Sequence, residues 1–99
     1  MALYFVRHQH SPQNCPARDP EMGQMLLKHL SKASASRAGV ALHGEAVLDN
    51  QHTLVLIAEA DERSLVEAYM QPFAAAGSVE IIPASECEAV VARGGCDVA

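Results

Sequence analysis

The run Val40-Ala41-Leu42-His43-Gly44-Glu45-Ala46-Val47-Leu48, then Asp49-Asn50-Gln51, then Thr53-Leu54-Val55-Leu56-Ile57-Ala58-Glu59-Ala60 decides the fold. Two β-prone stretches joined through a short polar connection predict an antiparallel hairpin. In the second stretch Leu54, Leu56 and Ala58 point one way and Val55 and Ile57 the other, so both faces of that strand are apolar. A sheet with one wet face would alternate apolar and polar residues.

Upstream, Met22, Met25, Leu26, His29, Leu30 and Ala33 recur at helical spacing. Asp19-Pro20 supplies an N-cap and a proline in the first turn, and Gly39 a stop, which predicts one helix between them. Before it lies the loop His10 to Asp19, punctuated by Pro12, Asn14 and Pro16. Before that, Ala2 to Gln9 reads as a strand. Downstream, Asp61 is placed to cap a second helix carrying Leu65, Val66, Tyr69, Met70 and Phe73. Pro72 removes a donor from it, predicting a kink or break near Gln71. Gly77 ends that segment, and Ser78 to Pro83 forms a last strand. Ser85-Glu86-Cys87-Glu88 fits a capping box opening a short helix that Gly94-Gly95 stops.

The order strand, helix, strand, strand, helix, strand is the ferredoxin-like βαββαβ pattern. It predicts an α+β fold, a four-stranded antiparallel sheet with two helices on one face. Residues 1–84 form that domain and 85–99 a C-terminal tail. Leu3 and Phe5 oppose Tyr4 and Val6 on the first strand, so the second sheet face is apolar there too. A second copy of the sheet is its expected cover, which predicts a homodimer.

Composition removes several classes. The 99 residues are 49% hydrophobic and 19% charged, with net charge −5. That balance is globular and lacks the basic footprint of a nucleic-acid or acidic-membrane binder. No apolar run approaches the ~20 residues of a membrane span. The first residues lack the basic n-region of a secretory signal. Three cysteines at loose spacing make no disulfide framework, and the expected location is cytoplasmic. Phosphate-cradling glycine loops, a nucleophile elbow and an aromatic platform for single strands are all missing.

From Ala2 to Pro83 the element order, with the closing strand Gly77-Ser78-Val79-Glu80-Ile81-Ile82-Pro83, resembles the dimeric α+β-barrel superfamily of small ferredoxin-like proteins. The superfamily includes cofactor-independent monooxygenases, muconolactone isomerases, haem-handling proteins and nickel-binding members. The resemblance implies two sheets packed face to face around a central cavity able to hold a small-molecule ligand. It carries no catalytic signature onto these residues.

The residues that point to chemistry are His8-x-His10-x4-Cys15. Period-two alternation puts His8 and His10 on one strand face, and the loop can return Cys15 as a thiolate. Imidazole with thiolate suits zinc, copper or nickel. The third strand runs antiparallel beside the first, so His52 at its start is the expected fourth ligand. His43 is a weaker candidate and Glu45 a carboxylate or outer partner. His29 reads as a satisfied core or boundary histidine, Cys87 as a small buried residue and Cys96 as a mobile thiol. Cys15, close to imidazoles and a helix start, also admits a nucleophilic or redox reading. Arg7, opposite His8, reads as a salt-bridge partner or an anion anchor.

Two functions follow as expectations. The first is a small transition-metal-binding protein using His8, His10, Cys15 and His52. The second is a cofactor-independent isomerase or monooxygenase with its substrate in the sheet cavity and His8, His10 or His43 as general base.

Overall fold

A computed structural model describes residues 1–98. Strand β1 (Ala2–His10) leads through two single-turn 3-10 helices, Pro12–Asn14 and Pro16–Arg18, into α1 (Pro20–His29) and α2 (Lys32–Arg37). The hairpin β2 (Ala41–Leu48) and β3 (Thr53–Ala60) follows, then α3 (Arg63–Tyr69), α4 (Gln71–Ala74), β4 (Gly77–Ala84) and α5 (Cys87–Arg93). The sheet is four-stranded and antiparallel in the order β2-β3-β1-β4. This is the α+β, ferredoxin-like arrangement that the element order predicts.

Local chemistry sets the helix boundaries. The Asp19 carboxylate accepts from the Glu21 N–H at 2.9 Å and Pro20 opens α1. The single helix expected as far as Gly39 is instead two. The Ser31 hydroxyl donates to the Lys28 carbonyl at 2.8 Å and accepts from the Ser34 N–H at 3.2 Å, ending one helix and capping the next. A serine that satisfies both ends in this way competes with the continuous helical ladder. Gly39, at φ +79°, closes α2 in the left-handed region. The break expected near Gln71 falls at Met70, between α3 and α4.

Two expected caps are absent. Glu62 rather than Asp61 precedes α3. The Ser85 capping box does not form, because the Arg93 guanidinium takes the Ser85 hydroxyl at 2.9 Å and the helix starts one residue later. Cys87 is exposed, which corrects its reading as a buried residue, and Cys96 is exposed as well.

The core lies between the sheet and the helices. Val6, Val40, Leu56, Val66 and Met70 are fully buried, and Val6 pairs with Leu56 on one side and Ile81 on the other. Among the described residues nothing covers the middle of the opposite face. Gly44, Ile57, Phe5 and Ile82 stand in register across all four strands. Ile57 and Ile82 are 37% and 42% exposed there. Arg7 and Glu80 form a half-exposed ion pair at 2.9 Å on the same face, the salt bridge expected of Arg7. No helix among the described residues is long and apolar enough to cross a membrane.

Candidate metal centre

Three separate pieces of chain meet at one end of the sheet. His10 closes β1, and its N–H donates to the His52 carbonyl at 3.1 Å. His52 ends the β2–β3 turn at φ +49°, with Asn50 at φ +65° two residues earlier. Both are residue types that tolerate the left-handed region, which lets the turn bring His52 back over the end of β1. The Thr53 hydroxyl fastens that turn by donating to the Gln51 carbonyl at 2.9 Å. Cys15 sits between the two 3-10 turns, each opened by a proline that fixes its φ. Its N–H donates to the Pro12 carbonyl at 3.4 Å and its carbonyl accepts from the Arg18 N–H at 3.3 Å.

The strand on the other side of β1 is held as closely. Gly77 pairs with His10, and a Cβ placed on it would lie 2.1 Å from the Gln9 carbonyl oxygen and 3.1 Å from the His10 Cα. Only a residue without a side chain lets β4 start this near His10.

One ligand atom each from His10, Cys15 and His52 lies within 4.8 Å of the others. In a tetrahedral site with bonds of about 2.0–2.3 Å, neighbouring ligand atoms stand about 3.5 Å apart. The cluster is wider than that by about 1.3 Å at most, within reach of side-chain rotation. Both ring nitrogens of His10 are buried and lack a hydrogen-bond partner among the described residues. An unsatisfied buried polar atom costs about 1–3 kcal/mol, so the ring sits in a place that rewards a further ligand. Burial first, then the neighbouring His8 and His52, hold His10 below the ordinary imidazole pKa of 6.5. The neutral ring is the form that ligates metals.

His8 also lies at this end but is not among the converging atoms. It is 4% exposed, its ring 5.5 Å from that of His10 and 5.1 Å from that of Phe73. A carbonyl only accepts, so the 2.9 Å contact with the Ser78 carbonyl makes Nδ1 the protonated nitrogen of the neutral ring. Burial pushes its pKa down, partly opposed by that hydrogen bond. The other candidates lie elsewhere. His43 bonds Glu59 at 2.7 Å and Glu45 stands exposed on β2. His29 is satisfied, as its sequence position suggests. Its Nε2–H donates to the Tyr69 carbonyl at 2.9 Å, and the Tyr69 hydroxyl donates back to the His29 carbonyl at 2.8 Å.

The expectation that His8 and His10 line a cavity between two sheets needs correction. His8 shares a strand face with the buried Tyr4 and Val6, and it contacts Phe73 of α4. Residues of β1 alternate, so His8 and His10 stand under the helices and not on the open face. The cavities that His8 and His10 bound are on the helix side. One of 230 Å³ is bounded by His8, His10, Cys15, His52 and Phe73 among others. A neighbour of 250 Å³ shares His8, His10 and Phe73 and adds Met22, Met25 and His29. This second cavity is not legible in the sequence. Met22 and Met25 belong to the periodic face of α1, yet the structure leaves them 49% and 64% exposed.

The model of one protein family, described as "Domain of unknown function (DUF3303)", matches residues 3–95. No curated protein matches the chain.

Proposed function

We propose, for a chain that belongs to the DUF3303 family, that it binds a transition-metal ion through His10, Cys15 and His52. The observation that carries this reading is the convergence of two imidazoles and a thiol around a His10 ring with both nitrogens buried and unpartnered. Imidazole and thiolate select zinc, copper or nickel over magnesium or calcium. Three protein ligands leave a fourth position for water or an exchangeable ligand, which fits capture, delivery or catalysis better than a closed structural site. His8 supports the centre from beside it, its ring oriented by Ser78 and packed near that of His10. The reading takes the molecule as a homodimer in which a second copy covers the apolar row Gly44, Ile57, Phe5 and Ile82.

Elemental analysis of untagged protein, purified without chelator and then reconstituted under reducing conditions, tests the site. Near-stoichiometric zinc, copper or nickel is expected, reduced by at least tenfold in Cys15→Ser and absent in His10→Ala/His52→Ala. Cys15 lies on a turn outside the sheet, so its variant reads the site without disturbing the core. Absence of metal from the reconstituted native protein, or full retention in Cys15→Ser, overturns the proposal.

A further inference from the structure

The 250 Å³ cavity on the helix side shares His10 with the metal cluster and reaches away from Cys15 and His52. Its walls are mostly apolar, with Leu26, Phe73 and the half-exposed thioethers Met22 and Met25 prominent among them. Methionine is the side chain best suited to line a pocket that must adapt to a guest, and it makes favourable contacts with aromatic rings. A dry apolar cavity of about 150 Å³ holds benzene, so 250 Å³ accommodates a single substituted ring.

His8 is one of the polar residues that line that space, with His10, His29 and Asn14. His8 spends Nδ1–H on the Ser78 carbonyl, and its Nε2 makes no hydrogen bond among the described residues. The buried side-chain atoms left without a partner are both on His10, so His8 Nε2 keeps accessible surface, and His8 lines this cavity. The nitrogen that remains is a bare acceptor, fixed as such by the backbone carbonyl on the far side of the ring. Few polar groups, placed in an apolar concavity, are what orient a small ligand.

We infer that this cavity binds a neutral single-ring molecule with one hydrogen-bond donor, of the phenol class. The ring lies among Leu26, Phe73, Met22 and Met25, and the hydroxyl donates to His8 Nε2. The inference does not rest on the metal reading, and its test uses metal-free protein.

The probes are phenol and toluene, nearly equal in size and differing in the donor. Each is titrated into full-length, reduced, chelator-treated protein while the methyl resonances of Met22 and Met25 are followed. Toluene gains more than phenol by leaving water, so without the hydrogen bond it binds more tightly. Phenol is expected to saturate the methyl shifts at a concentration equal to or lower than toluene does. In His8→Leu the order reverses, with phenol weakened about fivefold or more, the worth of one hydrogen bond. Met22→Trp, at a half-exposed position, fills the mouth and is expected to block both probes. If toluene binds more tightly than phenol to the native protein, the His8 acceptor is wrong. Absence of saturable shifts removes the cavity itself. The native comparison decides the matter even should His8→Leu fail to fold, and every one of these outcomes leaves the metal analysis untouched.

Discussion

His10 shows how one residue can be cheap to place and costly to leave alone. Its backbone closes a strand in an ordinary way, while its ring is held between His8 and His52, centroids 5.5 and 5.3 Å away. Burial disfavours charge on His8 and His10, and at His10 the neighbouring His8 and His52 add to the effect. The consequence for stability has a definite sign. In the unfolded chain these rings titrate near 6.5, and in the folded chain lower. Between the two values the unfolded state binds more protons, so stability rises with pH there and levels off above about 7.5. Urea midpoints of chelator-treated protein are therefore expected to fall as pH drops from 7.5 towards 5. The slope should flatten in His10→Ala. A midpoint that is constant across that interval contradicts the placement of these rings.

At the scale of elements, the site depends on how closely β4 approaches β1. A Cβ on Gly77 would stand 2.1 Å from the Gln9 carbonyl oxygen, backbone rather than a flexible side chain, so there is no room for a methyl group. Gly77→Ala is expected to push the start of β4 away from His10 and to cost about 1–3 kcal/mol of stability, as overpacking does. It should also weaken metal binding, although residue 77 carries no ligand. Chemical denaturation and metal competition on this variant check both effects, and native values for both would show that the strands separate without strain. The same scale explains why the helix boundaries diverge from the periodic pattern. Met22 to Ala33 keep a helical repeat, yet Ser31 can bond Lys28 behind it and Ser34 ahead. Side-chain hydrogen bonds of this local kind cut a helix that hydrophobic spacing alone would continue.

At the scale of the whole molecule, the feature without a partner is the open sheet face. Ile57 and Ile82 flank Phe5 in register, and isolated sheets of this kind seldom leave such a row in water. Sedimentation of the native protein is expected to give twice the chain mass of 10.6 kDa. Ile57→Lys, at a position already 37% exposed, should return a folded monomer. A native protein sedimenting at the monomer mass overturns the dimer.

The βαββαβ order was determined by local signals. The hairpin Val40–Ala60, the Asp19-Pro20 helix start and the Pro72 break each depend on residues a few positions apart, and the formed elements sit where those residues put them. The adjacency of His10 and His52 followed as well, because antiparallel pairing of β1 with β3 sets it once the order is known. The face on which His8 and His10 stand was decided only by tertiary structure. Alternation fixes which residues share a face, but both faces of β1 are apolar, so only the packing of α4 against the sheet chooses between them. The same holds for Cys15, whose return to His10 depends on two successive turns. It holds again for the cavity between α1 and α4, which exists only where helices from distant parts of the chain fail to fill the space above the sheet.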